Sequence, residues 1–326
     1  MFKPRWRRCE VRSVNLPLIL DCGRYYCIAV SASGDCNIQA GSSSSLVVGQ
    51  LLDTLRGSSA AVYGVTVLQE ELYIARDRSN VIEVFDVRSA ALQSSPCRRR
   101  VVVSMTSLAQ QVRPLDIASC AETRSIYVSD AANGSLHRVD PASGGVLASW
   151  RVDARAWGVS VTGRGTVLVC CRGAGLLCEY TPSGQLVRRV RLPDAVARPL
   201  HAVQMGDQFV VSLYDESSAA AAAGSRVCIV DDAGAVHRDH DQVCQPHHLA
   251  AVCDDGGGAR AVVAVADCGN DRIKLLDVAT LQVLAVVGSN CGIRRPHRLC
   301  VRQGRLYVGQ WDGSVLVYQL LSTPGV

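Results

Sequence analysis

Four histidines stand at the heads of short apolar strands, and they are the residues in this chain most suited to chemistry. His201 lies in PLHAVQM (199–205), His247 and His248 in PHHLAAV (246–252), and His297 in PHRLCV (296–301). Neutral imidazoles converging with one open position could hold a zinc ion that activates water. Three other strands open in the same way: YGVTVL (63–68), PLDIASC (114–120) and WGVSVT (157–162). In a shared register they place Gly64, Asp116, Gly158, His201, His248 and Arg298 at equivalent positions, at spacings of 52, 42, 43, 47 and 50 residues. Adjacent residues of a strand point to opposite faces. His247 and His248 therefore should not share a face, His297 has the parity of His247, and His201 that of His248. At most two histidines should meet in one register, with Asp116 as third donor, and Arg298 in that register opposes a cation. The expectation is no bound metal, no cofactor and no catalytic residue, with the ring of register residues acting as a polar lining.

The elements that position these residues repeat. After each opening strand comes a second, as in IYVSD (126–130) and VVAVAD (262–267), then a third, as in SLHRVD (135–140) and RIKLLD (272–277). A weaker fourth follows in the first five units, including RVVVSM (100–105) and VLAVVG (283–288). Four short strands in each ~45-residue unit, rich in β-branched residues, indicate an all-β six-bladed β-propeller of four-stranded antiparallel blades. The sixth unit has no fourth strand of its own. LVVGQLLDTL (46–55) precedes the first unit and can supply it, so an N-terminal strand closes the ring and removes two exposed edges. The expected organisation is an irregular extension over 1–45 and one propeller over 46–326. Its blades lie near 63–105, 114–152, 157–192, 199–240, 246–288 and 296–319 plus 46–55.

Units two and five share the pattern Y-V-x-D-x-x-N-x-x-[LI] across Asp130 and Asn133, and across Asp267 and Asn270. The pattern resembles the NHL repeat, over about 46–319. Unit one keeps Arg76, Asn80 and Ile82 without the Asp, and units three, four and six depart from the turn. The Asp and Asn are read as hairpin builders, since Asn tolerates a left-handed backbone and both side chains bond nearby amides. The resemblance implies a platform that binds protein segments, or in some members single-stranded RNA. A lyase with an NHL-like propeller holds zinc through histidines at comparable strands, which makes a metal-dependent lyase or hydrolase the third reading. NHL propellers also follow RING, B-box and coiled-coil segments in ubiquitin ligases. This chain carries neither paired-Cys zinc spacing nor heptads, so ligase activity does not carry over to it.

In such a propeller the loops leading into first strands, and those joining second to third strands, open on one face. That face receives Arg113, Arg155, Arg198, Arg294 and Arg295, relieved by Asp77, Asp130, Asp215, Glu216 and Asp312. Tyr63, Trp157, Tyr214 and Trp311 are its aromatic platforms. The candidate binding residues are Asp116, His201, His248, Arg298, Trp157, Trp311, Arg198, Arg294 and Arg295. A protein or peptide is the expected partner, with single-stranded RNA second, no DNA, no membrane, and a monomeric chain.

Composition sets the remaining bounds. Of 34 basic residues only Lys3 and Lys274 are lysines, and the net charge is +5. Arginine bias of this kind weakens any argument for anionic partners from total charge alone. The 15 cysteines lie largely inside apolar runs and are read as reduced core thiols of a cytoplasmic protein. Leu16–Leu20 is too short and too Pro-interrupted for a signal-peptide core, so no secretion signal is expected. The inserts at 215–225 and 253–260 read as tolerated loops, and Arg98–Arg100 as a solvated run.

Overall fold

Six four-stranded antiparallel sheets follow one another along the chain in this computed structural model, which describes residues 29–30, 36–37, 45–56, 58–87, 99–102, 113–130, 132–152, 155–196, 198–214, 224–252 and 261–323. Each of the first five blades runs strand one to strand four in sequence order. Their first strands are Val62–Leu68, Pro114–Cys120, Ala156–Val161, Pro199–Met205 and Pro246–Val252, and the sixth blade begins with Pro296–Arg302. The fold class is therefore the six-bladed propeller read from the repeats. Among the described residues no helix is long and apolar enough to cross a membrane.

Closure occurs where the missing strand was expected. Ser45–Leu55 pairs antiparallel with Val315–Thr323, the third strand of blade six, with Leu55 opposite Val315 and Asp53 opposite Val317. Both strands are longer than the repeat alone suggests, and Val48 and Leu55 are buried on the sheet face. The fourth strand of blade one is Arg99–Val102, so Arg99 and Arg100 lie in a strand and not in a solvated loop. Residues 103–105 of that expected strand, Arg98, the extension up to residue 28, and most of both inserts (215–223 and 253–260) lie outside the described residues.

Strand position decides burial. Second strands are buried along their whole length, as in Ser125–Asp130 and Val262–Asp267. Outer strands are more exposed, and Val146–Arg151 alternates, as expected where only one face meets a neighbouring blade. The core lies between blades: Leu168, Phe209 and Val211 join blades three and four, and Ile273, Leu299 and Tyr318 join five and six. Nine cysteines among the described residues are free, and seven of these are buried, as small apolar groups in this packing.

Deleting residues 1–57 removes Val48 and Leu55 and leaves two sheet edges open. Two buried aliphatic side chains contribute about 3–6 kcal/mol together. The melting temperature should fall by roughly 10 °C or more, whereas deleting residues 1–40 should leave it nearly unchanged. A thermal melt of both truncations checks this, and equal behaviour would contradict the closure.

Candidate functional site

Each first strand carries a β-bulge at its head, between Val62 and Gly64, Pro114 and Asp116, Ala156 and Val159, Pro199 and His201, Pro246 and Leu249, and Pro296 and Arg298. A bulge places two residues opposite one and breaks strict alternation. The histidines do pair by parity, His201 with His248 at 3.6 Å between ring centroids and His247 with His297 at 4.5 Å. Yet Arg298 reaches both pairs, lying 3.4 Å from Nδ1 of His297 while sharing Asp116 with His201 and His248. The pairs form successive layers along one channel.

The inner layer is Asp116, His201, His248 and Arg298, none more than 6% exposed. Asp116 accepts the amide of Ile117 at 3.0 Å and that of Val159, in blade three, also at 3.0 Å. Arg298 Nε lies 3.2 Å from its Oδ1. Nε2 of His248 and of His201 lie 3.5 and 3.6 Å from its Oδ2. Arg298 further donates to the carbonyls of Tyr63, Leu115 and His297 at 2.8–2.9 Å. Buried polar groups need such partners, and here many of them come from other blades.

Glycine completes this layer at the two register positions without a polar side chain. A Cβ on Gly158 would sit 2.4 Å from the Leu200 carbonyl and 2.8 Å from His201 Cα. One on Gly64 would sit 2.6 Å from Ile117 Cγ1. The four larger side chains fill the channel because these two positions are empty.

Burial governs protonation. It alone would raise the Asp116 pKa, but the electrostatic pull and hydrogen bond of the His248 ring together with the charge of Arg298 outweigh it and hold the carboxyl at about 2. Burial pushes His201, His248 and His297 below the usual imidazole range, with Arg298 adding to it in each and the Asp116 carboxylate opposing it at His201 and His248, so all three are neutral. His247 is lowered to about 3 by burial and by Arg298, although its ring is only partly covered.

Asp116, His201 and His248 bring one donor atom each within 4.8 Å of one another, a spacing that could hold a metal ion. Their hydrogen bonds do not fit that use. The amide of Leu249 donates to His201 Nδ1, and that of Leu299 to His248 Nδ1, both at 3.4 Å. A neutral imidazole accepting at Nδ1 carries its proton on Nε2. Both Nε2 atoms then carry hydrogen where a cation would need lone pairs, that of His201 directed to the Val159 carbonyl at 3.2 Å and that of His248 to Asp116, and Arg298 is already there.

The rim meets solvent, while in the outer layer His247 is half-buried and His297 is buried. His297 donates from Nδ1 to the Val62 carbonyl at 2.7 Å and packs edge-on against Tyr63 and Trp311. Trp311 is 38% exposed, with the Arg295 guanidinium 4.8 Å from its ring. Arg294 is exposed beside it, its amide held by Gln310. Trp157 packs against the core of blades three and four and lies under Arg172 at 4.7 Å, so it is not an open stacking platform. Arg198 borders the same part of the face as Trp157. The sequence reading missed Arg172, although it placed the second-to-third loop that carries it on this face.

The recurring turn proves to be a loop clamp. Asp130 accepts the amide of Arg113, and Asp267 that of Cys244, so each ties the lead-in loop of its own blade to the second strand. Asn133 and Asn270 donate to the same carboxylates, as do His137 and Arg272. In blade six Gln310 accepts the amide of Arg294 in the same role, and in blade one Arg76 donates to the Gly313 carbonyl.

No known protein family's profile matches the chain, and no curated protein matches it. Solved structures do. A virginiamycin B lyase from Staphylococcus aureus superposes with a TM-score of 0.56 at 12% identity, over 86% of this chain and 99% of that one. The WD40 propeller domain of Doa1 gives 0.55 at 15% identity, over 83% and 96%. Hydrazine synthase from Kuenenia stuttgartiensis gives 0.53 at 14%, over 83% and 98%. At these identities the likeness is one of fold.

Two outcomes follow for stability. Gly158→Ala should destabilise the fold by about 1–3 kcal/mol, read by urea denaturation, and a neutral result would contradict the packed channel. Neutral buried histidines contribute stability that is complete above their unfolded pKa near 6.5 and lost as pH falls. Each adds a slope of up to about 1.4 kcal/mol per pH unit below that value. The urea midpoint should therefore fall steadily from pH 7 to pH 4, with a shallower fall in His247→Phe. Asp116 adds a further loss only below pH ~4, since its pKa is depressed.

Proposed function

We propose that this chain is a divergent NHL-like propeller that binds a protein segment on the face bearing the channel mouth, and that it is not an enzyme. The observation that carries the reading is the commitment of the inner layer. Asp116, His201, His248 and Arg298 are buried, and their polar atoms engage backbone groups of other blades or one another. A general base, nucleophile or metal site needs groups that reach substrate. The exposed chemistry lies on the rim, where Trp311 with Arg295 offers the residue types that dominate protein interfaces.

The partner segment is acidic. Arg155, Arg198, Arg294 and Arg295 are exposed on this face, while Asp130 and Asp267 are consumed by the loop clamps. Single-stranded RNA is the competing partner, but it requires cations interleaved with open stacking surfaces. Trp157 is covered by Arg172, and the imidazoles between Trp157 and Trp311 are neutral. Free thiols agree with a reducing, cytoplasmic setting.

Fluorescence anisotropy with an acidic degenerate peptide library and a random single-stranded RNA pool tests this. The peptides should bind, and Trp311→Ala or Arg295→Ala should weaken them at least tenfold without lowering the melting temperature. Tight, steeply salt-dependent RNA binding with no peptide binding would contradict the reading.

A further inference from the structure

The same face carries a second feature that the channel does not use. Between the lead-in loops of blades three and four lies a pocket of about 490 Å³, lined by Arg155, Trp157, Arg172, Arg191, Asp194 and Arg198 around the turn Gly173–Gly175. Its volume falls in the range of small-ligand sites. Its lining holds four arginines and one aspartate. Two of them sit on one indole, Arg172 at 4.7 Å from the Trp157 centroid and Arg155 at 5.9 Å. Arg172 is fixed there by a 3.0 Å hydrogen bond to the Tyr214 carbonyl in blade four. Like charges gathered in a concave site repel one another, and an anion among them relieves that repulsion.

We infer that this pocket receives a phosphorylated side chain of the acidic segment that binds the face, an inference that rests on the proposed function. The anion must match several forked donors at once. A phosphomonoester does so, with about −1.5 to −2 charge and three terminal oxygens. A carboxylate offers one charge and two oxygens. The cations converge in one concavity and are not strung along the rim. That favours a single dianion over the diester track of an RNA strand, and no base can stack on a Trp157 ring held between core and guanidinium. The volume exceeds that of a free phosphate and accommodates the carrier side chain with a flanking residue.

The test uses the full chain and degenerate peptide libraries with a fixed central phosphoserine, phosphothreonine or phosphotyrosine, beside Ser, Thr, Tyr and Glu counterparts. Inorganic phosphate, AMP and single-stranded RNA serve as competitors. The phosphorylated libraries should bind at least tenfold more tightly than both counterparts. The double variant Arg155→Ala, Arg198→Ala alters two exposed residues and should keep its melting temperature. It should abolish the phosphate preference, so that phosphorylated and unphosphorylated libraries bind this variant alike. Equal binding of phosphorylated and unphosphorylated libraries would overturn the pocket assignment and leave the peptide-binding face standing. Failure of every peptide library would overturn both. Inorganic phosphate or AMP binding as tightly as the phosphopeptides would also overturn it, by making this a small-anion site.

Discussion

One buried carboxylate meets the problem that any closed propeller poses, which is how to hold separate sheets together along an axis where their backbones cannot pair. Asp116 belongs to blade two and accepts an amide from blade three. His201, from blade four, faces the Val159 carbonyl of blade three and accepts an amide from blade five. His248 in blade five accepts an amide from blade six. Arg298, in blade six, donates to carbonyls of blades one and two. These four side chains cross five of the six junctions of the ring, and Arg298 ties both blade one and blade two to blade six. Buried charge is tolerated because each ion has its counter-ion and its remaining donors or acceptors are met.

The same constraint separates stability from recognition. Groups that stitch the blades are drawn into the dry interior and held in one protonation state. In the proposed function recognition falls to the loops around them, which the scaffold fixes without consuming. Trp311 and Arg295 on one side, and Trp157 with its arginines on the other, illustrate the division: their backbones are held by neighbouring strands while their charged ends meet solvent. The fold resembles both a lyase and a WD40 domain, so architecture alone does not choose between chemistry and binding. The hydrogen bonding of the inner layer is what favours binding.

The register of the first strands was legible from apolar strands recurring at 42–52 residues, and it brought Asp116, His201, His248 and Arg298 together in advance. The strand that closes the ring was legible too, as an apolar segment with no unit of its own. Three things were not. The bulges at strand heads depend on how blades crowd the axis, and alternation of residue types does not reveal them. The clamp of the lead-in loop is made by Asp in two blades but by Gln310 in another, and no motif links a carboxylate to an amide with the same role. Arg172 follows a strand whose turn departs from the repeat, and its stacking on Trp157 depends on a loop conformation that pattern does not encode.

The claim on which the rest stands is that the inner layer is a staple. A double-mutant cycle on Asp116 and Arg298 measures it, using urea unfolding together with zinc analysis of protein purified without chelator or affinity tag. Asp116→Asn should cost about 3–5 kcal/mol by stranding a buried guanidinium. Adding Arg298→Met should recover a substantial part of that loss, as expected for a directly coupled pair, with zinc absent throughout. An Asp116→Asn protein as stable as the parent, and near-stoichiometric zinc in the parent that this substitution removes, would contradict the account.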